Sequence, residues 1–148
     1  MLSAECLVQS AECRGMNAVD GVGPGRIRSH RDLVVWQKAM GLVDLVYALT
    51  DQFPAKEEHR LTSKLVRAAI SVPANIAEGQ ARATSRDFAN FLIIAKASLM
   101  ETDTHVEIAV RRGYISESGA TELFALISEI SRMLTTLRKK IANQGHRH

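Results

Sequence analysis

Leu123, Leu126, Ile127, Ile130, Leu134, Leu137 and Ile141 recur at steps of three and four residues near the end of the chain. Such steps put side chains on one stripe of a 3.6-residue helix, whereas a half-buried strand requires alternation. A stripe of this length exposes its apolar side to water unless other helices cover it. The spacing predicts a helix from Ser116–Ser118 to about Ala142, with Gly145 beyond it.

The same rhythm recurs upstream. Phe88, Phe91, Leu92, Ala95, Leu99, Val106 and Ala109 form one face of a predicted third helix, with Lys96, Asp103 and Glu107 on another. It opens at Thr84 or Ser85, where a hydroxyl caps free amides and Asp87 suits the positive helix start. It closes at Arg111-Arg112-Gly113, with cations near the last carbonyls and glycine as the stop. A second helix spans about Lys56 to Ala81, with Leu61, Leu65, Ala68 and Val72 inside. The first spans Asp32 to Gln52 and ends at Phe53–Pro54, because a residue before proline avoids helical geometry. Short breaks make neighbouring helices antiparallel, so the expected fold is all-α, an up-down-up-down four-helix bundle.

The first helix is apolar on two faces. Trp36, Met40, Val43 and Tyr47 form one; Val35, Leu42, Val46 and Leu49 form another, offset around the axis. So much apolar surface exceeds what a small bundle buries, and the second face is assigned to a subunit interface in a homo-oligomer. The alternative is that the N-terminal segment covers it.

Residues 1–30 have no sustained periodicity and contain the turn-rich GVGPGR, so they are expected to be a flexible leader, with Met16 an alternative start. The bundle occupies 31–142 and a short tail 143–148. A chain of 148 residues with 46% hydrophobic and 24% charged residues fits one globular domain. No apolar run reaches the roughly 20 residues needed to cross a membrane. The N-terminus does not read as a signal peptide either, so a cytoplasmic location is expected. Cys6 and Cys13 stand at no metal or redox spacing and are read as incidental thiols.

RAAISVPANIAEGQAR, Arg67 to Arg82, carries the unusual chemistry. Pro73 removes a backbone donor inside an otherwise helical pattern and frees the carbonyl of Ala69. Asn75 falls at or beside the inner stripe, where an amide needs partners. Glu78 and Arg82 are spaced for an ion pair, and Gly79 lets another helix come close. Glu101 is expected to face this cluster from the third helix. The reading adopted is a polar cluster of Pro73, Asn75, Glu78, Gly79, Arg82 and Glu101 that fixes bundle register; an acid/base or ligand site is the alternative. A carboxylate di-metal bundle needs Glu-x-x-His on two helices. Glu101-Thr-Asp-Thr-His105 has one residue too many and no second copy, so neither metal nor cofactor is expected. No phosphate loop or nucleophile–base motif is present, and the chain is read as non-enzymatic.

The formal net charge is +3, and from Arg132 onward the chain carries Arg132, Arg138, Lys139, Lys140 and Arg147 without an acid. With Arg111 and Arg112, the first four of these are the candidate contacts for RNA or DNA; a solvated helix end is the plain alternative. Few aromatics lie among them, so backbone phosphate contact is expected rather than base stacking.

The runs DLVVWQKAM, VYALTDQFP, LTSKLVRAAISVPANIAEGQAR, FLIIAKASLMET, GYIS and EISRML resemble the four-helix bundle family found in intervening sequences of 23S ribosomal RNA genes. The resemblance covers about Arg31 to Ala142, and SVPANIAEG is its most specific part. It implies a homopentamer without established catalytic activity. It also implies kinship with the accessory variability determinants of diversity-generating retroelements, where a basic pentamer partners a reverse transcriptase and nucleic acid. The expected function is therefore an oligomeric, nucleic-acid-associated protein. The alternatives are an interaction scaffold for a partner such as a reverse transcriptase and, third, a ligand pocket on the polar cluster.

Overall fold

The structure, a computed structural model, describes residues 27–145. Most of the leader, with Cys6, Cys13 and Met16, lies outside the described residues, as does Arg147 in the tail. Within them the chain is all-α: α1 Val34–Thr50, α2 Ser63–Gln80, α3 Ser85–Arg111 and α4 Glu117–Gln144, with no strand.

Local chemistry sets the helix ends. Thr84 Oγ1 accepts the Asp87 amide at 3.1 Å to open α3, and Ser116 Oγ accepts the Gly119 amide at 3.2 Å to open α4. After Arg111 the chain reverses at Gly113, whose φ of 76° suits a residue without Cβ. There the Tyr114 amide reaches the Ala109 carbonyl and the Gly113 amide the Val110 carbonyl, both at 2.9 Å, which satisfies carbonyls the helix leaves open.

The expected second helix starts differently from its sequence pattern. Before α2 come a 3-10 turn, Ala55–Glu57, and a wider π turn, Glu58–Thr62. Glu57 caps this entry by accepting the Leu61 amide at 3.4 Å. At the N-terminus, Ser29 and Asp32 form a capping box around the turn His30–Asp32. His30 then packs edge-on to Trp36 at 5.1 Å and the Arg31 guanidinium lies 5.5 Å from the same ring. The folded unit thus begins ahead of the boundary drawn from the sequence.

One core runs through all four helices, with Leu42 and Val46 meeting Leu65, Val72, Ile76, Leu92, Leu99, Val106, Leu123, Ile127, Ile130 and Leu134 out of contact with water. α2 packs on α3, α3 on α4, and α1 against α2 and α4. The turn at Gly113 joins one end of α3 to α4; at the other end a carbon on Gly145 would lie 3.7 Å from Ser85 Cβ. The α3–α4 pair is therefore antiparallel over its full length. Lys38 bridges to Glu129 at 3.2 Å and so ties α1 to the middle of α4.

This packing corrects the interface assignment on α1. Val35, Leu42 and Val46 are buried in the protomer and Leu49 is half-buried, while Met40 and Tyr47 are 38% and 48% exposed. Of the other face Met40 and Tyr47 stand outward, while Trp36 and Val43 are half-buried against the core. Aliphatic side chains without polar atoms fill the close-packed interior. Tyr47 keeps its hydroxyl at the surface, and His30 and Arg31 already cover Trp36.

The tightest approach lies between α2 and α3. A Cβ on Gly79 would stand 2.6 Å from Phe91 Cβ and 3.0 Å from the Phe88 ring. A residue other than glycine must push these helices apart. Gly79→Ala should lower stability by about 1–3 kcal/mol in urea titrations through overpacking, although alanine is intrinsically the better helix former by about 1 kcal/mol. An unchanged or higher urea midpoint would contradict the close approach.

Candidate functional site

The cluster anticipated around Pro73 resolves into separate pieces. α2 runs through Pro73 without interruption, and local side chains bracket the proline. Ser71 Oγ donates to the Arg67 carbonyl at 2.9 Å, and Asn75 Nδ2 donates to the Ser71 carbonyl at 2.7 Å. Asn75 is half-buried rather than set in the core, and its amide serves its own helix. The partner its amide needed is thus a carbonyl one turn back, the natural reach of a short side chain along a helix.

Glu78 and Arg82 pair at 2.9 Å, with both side chains about half exposed. The Arg82 guanidinium also lies 4.7 Å from the centre of the Phe91 ring. Gly79, Phe91, Arg82 and Glu78 thus form one clasp: glycine admits the Cβ of Phe91, the cation covers its ring, and the carboxylate holds the cation. Glu101 does not join them. It is exposed and faces His105 Nε2 at 3.3 Å on its own helix. Ten residues of α3 separate it from Phe91, about 15 Å of helix rise. An acid/base pair of Glu78 and Glu101 is therefore excluded by position. Among the described residues no group of three or more His, Cys, Asp or Glu is placed to hold a metal ion.

The cations divide by position too. Arg111 and Arg112 are exposed at the α3–α4 turn, and Arg111 pairs with Glu107 at 2.9 Å. Arg132 donates to Ser128 Oγ at 2.8 Å. Arg138 is half-buried, with Lys139 and Lys140 exposed beside it, toward the far end of α4. The run from Glu117 to Lys140 spans roughly 35 Å at 1.5 Å per residue. Arg138, Lys139 and Lys140 form one basic surface and Arg111 with Arg112 another.

Two interactions gave no sequence signal because their partners lie far apart in the chain. Lys96 Nζ donates to Thr135 Oγ1 at 2.8 Å between α3 and α4. The Tyr114 hydroxyl donates to Glu57 Oε1 at 3.1 Å, and its ring packs on Phe53 with centroids 5.5 Å apart. Desolvation raises the Tyr114 pKa above the usual 10.0, and the hydrogen bond to Glu57 and that carboxylate's charge add to it; Arg112 and Arg60 pull the other way.

The geometry finds counterparts elsewhere. The family described as 23S rRNA-intervening sequence protein matches residues 31–136. A crystal structure of a protein with unknown function from the S23 ribosomal protein family, from Bacteroides thetaiotaomicron VPI-5482, is similar with a TM-score of 0.65 and 26% identity. The likeness covers 72% of this chain and 99% of that one. No curated protein matches the chain.

A tyrosine whose folded pKa is raised keeps its proton where the unfolded chain has lost it. Its contribution is whole below the unfolded value and is lost as pH climbs through the folded one. Ultraviolet titration should place Tyr114 above pH 10, the ordinary tyrosine value, and Glu57→Gln should bring it back toward that value. A wild-type curve identical to that of the variant would remove Glu57 as a cause.

Proposed function

From a chain that belongs to the 23S rRNA-intervening sequence protein family, we propose a non-enzymatic protein that assembles with copies of itself and contacts nucleic acid through phosphate. The observation that carries this reading is the far half of α4, where Arg132, Arg138, Lys139 and Lys140 follow the last acid, Glu129. In one copy this is a modest patch. Repeated around an assembly, it becomes a broad positive surface whose weak contacts add through effective concentration. The subunits are up-down-up-down bundles, as the antiparallel α3–α4 pair supports, and five copies match what the family resemblance implies.

Assembly is supported by apolar surface left over once the core is filled. Met40 and Tyr47 stand out on one side of α1, two turns apart, and this face replaces the one first assigned to the interface. Met40→Glu with Tyr47→Glu should lower the mass seen by sedimentation while the helical circular dichroism stays as in the wild type. Leu42→Ala should instead destabilise the fold by about 2–5 kcal/mol, as a core truncation does. Retention of the full assembly mass in the double variant would reject the α1 face.

A second reading has its own observation. Ile93, Ile94, Met100 and Ile108 are exposed on α3, an apolar surface of the kind that marks protein contacts. On it the protein is a scaffold for a polypeptide partner such as a reverse transcriptase. No helix among the described residues is long and apolar enough to cross a membrane.

The deciding experiment is binding of a labelled structured RNA and a matched DNA duplex over a salt series. Affinity should fall steeply with salt. Arg138→Gln, Lys139→Gln and Lys140→Gln together should flatten that dependence by about one unit of slope for each phosphate no longer neutralised. Absence of binding at low salt would reject the nucleic-acid role and leave the scaffold.

A further inference from the structure

Between α3 and α4 lies a cavity of about 330 Å³, lined by Leu92, Ile93, Lys96, Leu134, Thr135 and Arg138. Its volume sits at the lower end of the roughly 300–1,000 Å³ usual for small-ligand sites. Leu92 and Leu134 are buried and give it an apolar floor. The two charged residues are both cations, and both are half-buried.

Among the described residues the half-buried Lys and Arg side chains are Lys38, Lys96 and Arg138, and their partners divide them. Lys38 meets a carboxylate, as do the exposed Arg82 and Arg111. Among the described residues neither Lys96 nor Arg138 has one within 4.0 Å. Lys96 is held by Thr135 Oγ1, whose own proton goes to the Ser131 carbonyl at 3.1 Å. An ammonium group has three donors, so two are left for another acceptor. Arg138 follows Thr135 by three residues on α4, which places it on the same side of the helix. A cation drawn out of water onto an apolar surface is unfavourable without a counter-charge. Here two share one cavity, so an anion bound between them would relieve both.

We propose that this groove is a phosphate-group site, with Lys96 and Arg138 holding the phosphate and Ile93 giving the attached sugar an apolar wall. The planar guanidinium fork matches two phosphate oxygens, and the ammonium supplies a compact charge beside it. The phosphate belongs either to a polynucleotide backbone, in which case the inference rests on the nucleic-acid reading above, or to a free nucleotide. In the first case the groove, and not the exposed lysines alone, fixes where the strand crosses the bundle.

The test uses the full chain, a single-stranded RNA dodecamer, adenosine 5′-monophosphate and inorganic phosphate as probes, and polyglutamate as a competitor. Lys96→Met and Arg138→Gln are compared with Lys96→Arg after their melting temperature and assembly mass are matched to wild type. A drop of about tenfold in RNA affinity in Lys96→Met, with a salt slope smaller by about one and rescue in Lys96→Arg, supports the site. If RNA binds wild type and Lys96→Met alike and neither the mononucleotide nor phosphate shifts the Lys96 and Arg138 amide resonances, the groove is overturned while the nucleic-acid reading stands. If RNA does not bind but the mononucleotide or phosphate shifts the Lys96 and Arg138 amide resonances, the site stands with a free phosphate as ligand and the nucleic-acid reading falls. No response to any phosphate probe, or displacement by polyglutamate as effective as by phosphate, overturns the proposal.

Discussion

The closeness of α2 and α3 at Gly79 is the constraint from which the rest of the bundle follows. With no Cβ at this position, Phe88 and Phe91 settle directly against the α2 backbone. That approach fixes the angle and register of the hairpin just before its turn, and Arg82 seals it from outside by lying over Phe91. Once α2 and α3 are set, their inner stripes define a trough lined by Leu65, Val72, Leu92 and Leu99. α4 and α1 complete the trough. The clasp is half exposed, so its ion pair contributes modestly by itself; its effect lies in holding Phe91 where its Cβ meets Gly79.

The course of the helices was legible in the sequence because it depends on short-range chemistry. Thr84 as a cap, Gly113 as a stop and the seven-residue stripe of α4 each act within a turn or two. The orientation of α1 was not legible. With apolar residues around most of its girth, Val35 and Trp36 make equal claims on the core. The choice falls to interactions with distant helices, such as Lys38 on Glu129. Glu101 was misplaced for a related reason. Its position beside an apolar stripe said which side of α3 it occupied but not how far along α2 that side would fall, and the close approach at Gly79 decides this.

The candidate site was legible by residue type and not by grouping. Composition singled out the cations of α4, yet nothing in the chain's order joined Lys96 to Arg138. They line one cavity because antiparallel packing brings Lys96 on α3 level with Thr135 on α4, thirty-nine positions away. The same packing separates Arg111 and Arg112 from the basic end of α4, so the chain's cations divide into two surfaces with different surroundings: one interleaved with Glu107 and Glu57, the other bare of acids along α4.

That separation gives the molecule an electrical axis. At the end where α3 begins, Arg82, Arg86, Arg138, Lys139 and Lys140 outnumber Glu78 and Asp87; at the opposite end Lys56, Arg60, Arg111 and Arg112 are balanced by Glu57, Glu58, Glu107 and Glu117. A body longer than the screening length of physiological salt, about 8 Å, then feels a torque in the field of a polyanion before it touches one. It turns its positive pole forward while still diffusing. Copies arranged in parallel around a common axis would add their moments, so the direction of approach would be selected ahead of any individual contact.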